Sequence, residues 1–106
     1  MEKVWLKSYP PGVPQEINLD QFASLNALMA WCCARYREQP AFSNQGATIS
    51  WGRLDALSRN FAAWLQHGVG LHKGDRVALM LPNLLQFPVV LFGALRAGCS
   101  VVNVNP

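Results

Sequence analysis

The groups that could do chemistry in this 106-residue chain are three thiols, two imidazoles and one glycine-rich stretch. Cys32 and Cys33 are adjacent and Cys99 stands apart. A zinc site needs Cys or His in pairs at short fixed spacing, and neither a Cys-x-x-Cys pair nor a matching placement of His67 and His72 exists. An odd number of cysteines is no disulfide framework. The expectation is free, mostly buried thiols in a reducing compartment, with the vicinal pair serving as core and not as a redox centre. Gly68-Val69-Gly70-Leu71-His72-Lys73-Gly74 has the composition of a phosphate loop but the wrong order. A phosphate cradle runs strand, loop, helix, so that a helix N-terminus meets the anion. Here a helical pattern precedes the loop and a strand pattern follows it. Gly68 is read as the residue that ends the helix, Gly74 as a turn residue, and the two histidines as surface groups.

A second feature concerns membranes. No charge falls between Val77 and Leu95, and Arg76 and Arg96 flank the run. Its length would suit a bilayer span. Its content does not, because Pro82-Asn83 is turn chemistry and Gln86 and Pro88 follow closely. A short apolar strand, a turn and a buried helix account for the same residues. The opening Met1-Glu2-Lys3-Val4-Trp5 lacks the basic region and apolar run of a secretory signal, which argues for the cytosol.

The elements that would position these groups read as follows. Pro10, Pro11 and Pro14 make residues 1–21 an extended arm, anchored by Trp5 and Tyr9. A helix is predicted over 22–37, with Phe22, Leu25, Met29, Cys32 and Tyr36 on one stripe, Asp20 or Ser24 as its cap and Pro40 as its stop. Ala41–Ser43 and Thr48–Ser50 read as a hairpin closed through Asn44-Gln45-Gly46. A second helix spans 51–66, capped by Ser50. Leu54, Leu57, Phe61, Trp64 and Leu65 form its buried face, and Arg53, Asp55, Arg59 and Asn60 face water. Then come a strand over 75–81, a helix over 84–97 capped by Asn83 and delayed or kinked by Pro88, and a strand over 100–104. The first of these strands does not alternate, so both its faces should be covered, and the three elements form a right-handed βαβ unit of an α/β fold.

Hydrophobic residues make up 51% of the chain and charged ones 14%, against about 25% in ordinary domains, so a solvated coil is excluded. The net charge of +3 is scattered, with no basic block for nucleic acid. A two-stranded parallel sheet with one apolar helix covers too little of itself, so the chain is expected to be the opening part of a larger α/β domain, incomplete as a folding unit.

Three stretches carry a family resemblance. Thr48-Ile49-Ser50-Trp51-Gly52-Arg53-Leu54 resembles the first core motif of adenylate-forming enzymes, Thr-Tyr-x-x-Leu at the opening of a helix. Lys73-Gly74-Asp75-Arg76-Val77-Ala78 is similar to their Gly-Asp-x-Val-Ala strand entry. Leu95-Arg96-Ala97-Gly98 through Val104-Asn105-Pro106 resembles the second core motif. Trp51 departs from the usual Tyr or Phe, Gly52-Arg53 from the helix-favouring pair, and Asn103 from a Pro. Lys3-Val4-Trp5-Leu6, Tyr9-Pro10, Val13-Pro14 and Met80-Leu81-Pro82-Asn83-Leu84-Leu85-Gln86 bring the chain closest to bacterial long-chain fatty acid–CoA ligases.

The resemblance implies that residues 22–106 are part of an N-terminal, AMP-binding type domain truncated at its C-terminus, with 1–21 as its arm. It implies ATP, Mg²⁺ and coenzyme A as cofactors of the whole enzyme, which joins a fatty acid to AMP and then to the CoA thiol. The family's phosphate loop, metal ligands and catalytic lysine lie later in its chains. Lys73, in a turn before a strand, is not that lysine. No catalytic, cofactor-binding or metal-binding residue is therefore assigned here, and the segment is expected to be inactive scaffold whose partner is the rest of its own domain. Three other readings compete: a relative acting on a different carboxylic acid, a stand-alone interaction module using the helix Leu84–Ala97, and contact with the inner membrane through Lys3, Trp5, Lys7 and Tyr9.

Overall fold

The computed structural model describes residues 2–106; Met1, the first residue of the predicted arm, lies outside them. In chain order the elements are α1 (Leu25–Arg35), β1 (Pro40–Asn44), β2 (Ala47–Ser50), α2 (Trp51–Ala63), β3 (Arg76–Leu79), α3 (Gln86–Arg96) and β4 (Ser100–Asn103).

β1 and β2 pair antiparallel, with Asn44 opposite Ala47 and Pro40 opposite Ser50. The two residues between them, Gln45 and Gly46, both have positive φ, the conformation of a tight turn whose twist matches the hairpin. β3 and β4 pair parallel, Arg76 with Ser100 through Leu79 with Asn103, and α3 is the connection between them. The predicted βαβ unit is thus present. The uncharged run from Val77 to Leu95 divides into β3, a turn and α3, and among the described residues no helix is long and apolar enough to cross a membrane.

Local sequence explains most of the boundaries. Ser24, not Asp20, caps α1, its hydroxyl accepting from the Ala27 amide at 3.1 Å. Ser50 caps α2 by accepting from the Arg53 amide at 3.2 Å. α3 begins at Gln86, two residues later than expected, and Asn83 does not cap it. The Asn83 carbonyl instead accepts from Asn44 Nδ2 at 2.8 Å, tying the hairpin to the turn before α3. The late start places Pro88 in the first turn, where its missing N–H leaves no helical bond unmade.

The end of α2 is where the expectation fails. Beyond Ala63 the helix widens into a π turn over Trp64–Gly68, and the Leu71 amide closes back onto the Leu65 carbonyl at 2.9 Å. Gly70, not Gly68, takes the left-handed conformation at this closure, with φ +79°. The wider winding turns Trp64 outward, so that it is 56% exposed instead of buried. Its ring lies over Gly68, where a Cβ would fall 2.7 Å from it. α3 ends in the regular way. The Cys99 amide bonds the Ala94 carbonyl, the Gly98 amide bonds the Leu95 carbonyl, and Gly98 has φ +82°.

Two buried clusters hold the body together. Ala62, Leu65, Ala94, Ala97 and Cys99 join α2 to the βαβ unit, with Phe61, Val77 and Val101 against them. Met29, Cys33, Ile49 and Leu54 join α1 and the hairpin to α2, with Trp51, Val89 and Phe92 against them. On α1 the inward residue of the vicinal pair is Cys33, while Leu25, predicted inward, is 61% exposed. The arm is not uniformly extended. Val4–Ser8 form one 3-10 turn, and the Val13 amide closes a second turn onto the Pro10 carbonyl at 3.2 Å.

Candidate functional site

Three places combine polar or apolar groups in a way that could serve a ligand. The first is the glycine-rich turn before β3. Three of its backbone donors, the amides of His72, Gly74 and Asp75, have partners inside the chain. The His72 amide donates to Asp75 Oδ2 at 2.7 Å, and the Asp75 amide to the His72 carbonyl at 3.1 Å. The Gly74 amide donates to the Gly98 carbonyl at 2.9 Å, and the Ser100 amide to the Asp75 carbonyl at 2.7 Å. The stem of Lys73 lies against Gly98, where a Cβ would sit 3.3 Å from it. The turn therefore splices the entry of β3 to the corner that leads into β4. A carboxylate fills the place an incoming anion would need.

The second is a charge cluster at the junction of α1, α2 and α3. Asp55 is only 17% exposed at its side chain and pairs with Arg96, itself 15% exposed. Arg59 Nε reaches both oxygens of the same carboxylate, at 3.1 and 3.2 Å. Asn26 Nδ2 donates to the Leu95 carbonyl at 2.9 Å. These contacts fasten the C-terminal end of α3 to both other helices. Asp55, which the sequence pattern assigns to the water-facing side, is instead enclosed by Arg96, and the isolation of Arg96 as the one charge of α3 is the sequence signal that calls for such a partner. Arg96 Nε remains buried without a hydrogen-bond partner. Cys33 lies within range of this cluster. Burial pushes its thiol above the ordinary value, and the Asp55 carboxylate adds to the shift while Arg96 and Arg59 oppose it. A thiol held protonated is a poor nucleophile, which favours the reading of Cys33 as core.

The third is apolar. A cleft of about 310 Å³ opens between the hairpin and α3, lined chiefly by Phe42, Leu84, Phe87, Leu91 and Phe92. A row of aromatic contacts runs Phe22–Trp31–Tyr36–Trp51–Phe42 with ring centroids 5.6–6.5 Å apart, and only its last member, Phe42, lines the cleft. Arg35 stacks on Trp31 and Tyr36. Cys33 and Cys99 are buried and Cys32 is half-buried, while His67 and His72 are exposed on either side of the loop, and among the described residues no three His, Cys, Asp or Glu side chains converge as metal ligands would.

The three motif stretches occupy matching places in the fold. Thr48–Leu54 runs from β2 through the Ser50 cap into α2, Lys73–Ala78 leads through the turn into β3, and Leu95–Pro106 runs from the end of α3 through β4. The family model described as AMP-binding enzyme matches residues 29–106, from α1 through β4. The chain belongs to the AMP-binding enzyme family. Its relatives include a long-chain-fatty-acid–CoA ligase of Salmonella typhimurium, 59% identical over 106 residues, and one of Yersinia pestis, 58% identical over the same length. Each alignment covers all of this chain and 19% of the relative, so the chain spans about one fifth of the length of the curated relatives it matches. Among solved structures, the fatty acyl-adenylate ligase from L. pneumophila, in complex with acyl adenylate and pyrophosphate, superposes with a TM-score of 0.73. The identity there is 29%, covering 81% of this chain and 16% of that one. The α/β reading and the resemblance to the adenylate-forming family both hold.

Proposed function

We propose that residues 1–106 are the scaffold of an AMP-binding domain in a long-chain fatty acid–CoA ligase, and that they hold no part of its catalytic machinery. In this reading 1–21 form the arm and 22–106 the first portion of the domain. The observation that carries the assignment is identity of 58–59% over the whole chain to enzymes bearing that name. The reaction of the complete enzyme would convert a fatty acid with ATP to an acyl-adenylate and pyrophosphate, and coenzyme A would then displace AMP. A carboxylate is a poor acyl electrophile and AMP a good leaving group, so the first step makes the second feasible.

The residues present do not fit ATP or Mg²⁺. In the loop of glycine-rich composition the His72 amide is spent on the Asp75 carboxylate and the Gly74 amide on the Gly98 carbonyl, and the loop leads into a strand where a phosphate cradle leads into a helix. No catalytic step is therefore routed through this segment. Its role is to place β3, α3 and β4 so that the remaining strands and loops of the domain have a sheet to join. Membrane contact through the arm finds less support, since Lys3 lies 3.7 Å from Glu16 and Lys7 3.5 Å from Glu2, which offsets their attraction to anionic lipid.

Two measurements test the proposal. An antibody raised against residues 1–106, used on extract of the native source, is expected to reveal a band several times larger than 11.7 kDa. A band at that mass alone, with a stoichiometric partner co-purifying, would replace the ligase reading with that of an interaction module. Purified residues 1–106 are expected to give no fatty-acid-dependent pyrophosphate exchange, and exchange by material free of host enzyme would overturn the scaffold assignment. A chain-length series on the complete enzyme then decides between long-chain acids and another carboxylic acid.

A further inference from the structure

We draw no further inference here: the strongest candidate, the apolar cleft between the β1–β2 hairpin and the outer face of α3, is an unpartnered surface and nothing in the structure shows what covers it.

Discussion

The seam between α2 and α3 and the arm before α1 both carry apolar side chains and behave in opposite ways. At the seam, small residues let two backbones approach closely. Gly93 faces Phe61 and the Ser58 carbonyl so tightly that a Cβ would meet them at 2.7 and 2.9 Å. Ser58 and Ala94 are fully buried there, and the Asp55–Arg96 pair locks the far end. In the arm, Ile17 and Leu19 are 83% and 84% exposed, and Val4, Trp5 and Val13 are about half exposed. Apolar content alone therefore does not produce burial. Burial follows where the apolar positions recur at helical spacing and a second helix presents the complementary face. Proline spacing in the arm prevents that recurrence.

The contrast is broken most severely by emptying the seam's neighbourhood. Leu54 is completely buried, at the meeting of α2 with α1 and the hairpin. Leu54→Ala is expected to cost about 2–5 kcal/mol, through lost transfer energy and the cavity left behind. The midpoint of urea unfolding of the purified protein measures it. A cost under about 1 kcal/mol would mean that the surrounding side chains collapse into the space, and that this cluster is not the rigid part of the fold.

Next in size is the charge lock. Asp55→Asn leaves Arg96 largely buried and without its counter-charge, which is expected to destabilise by about 2–3 kcal/mol. Adding Arg96→Met to that variant removes the stranded charge and should recover part of the loss. A non-additive double-mutant cycle in urea unfolding is the expected signature. Strict additivity would show that the two side chains act independently of each other.

Gly93→Ala sharpens the comparison differently, because the substitution favours helix in isolation by up to about 1 kcal/mol. At this position the Ser58 carbonyl is backbone and cannot swing away, so overpacking of about 1–3 kcal/mol outweighs the gain and the net effect is a loss of about 1–2 kcal/mol. Gly12 offers the opposite setting, in the arm with nothing within 4 Å, but its φ of +87° strains any side chain there.

Cys33 gives a pH test of the same region. Its thiol is held above the ordinary value of 9.0, first by burial and then by Asp55. A raised thiol pKa means the folded state binds the proton more tightly than the unfolded state. The contribution to stability is complete below the unfolded value and is lost as pH rises through it toward the folded one. Unfolding free energy should therefore fall more steeply above about pH 9 in the natural protein than in Cys33→Ala. Parallel pH profiles for the two proteins would contradict the placement of the thiol.

The elements with a strong local signal were legible in the sequence: the Ser50 cap, the Asn44–Gly46 hairpin turn and the βαβ order. What could not be read from the pattern depended either on partners distant in the chain or on a local change of winding. Asp55 looks like a solvent-facing residue until Arg96, on another helix, is brought beside it. Trp64 fits a helical stripe until the π turn rotates it outward, and Gly68 loses the capping role to Gly70 for the same reason. Asn83 has the chemistry of a cap, yet Pro88 shifts the start of α3 and Asn44 takes up the Asn83 carbonyl. As for the site, its motifs were visible, and they lie on strand entries and helix starts.

The smallest expected effect completes the comparison. Ile17 and Leu19 flank an Asn18 turn in which the Asp20 amide donates to Asn18 Oδ1 at 3.0 Å, so their exposure comes from a defined local conformation. The double variant Ile17→Ser with Leu19→Ser should change unfolding free energy by less than about 0.5 kcal/mol, because neither side chain leaves water on folding. If these residues instead pack in the proposed full-length ligase, the same double substitution should lower the stability of that longer protein by about 1–2 kcal/mol per residue while leaving residues 1–106 unaffected. Equal and negligible effects in both would make the arm a solvated tether. A loss confined to the longer protein would show that the arm's exposed side chains find their partner outside this segment.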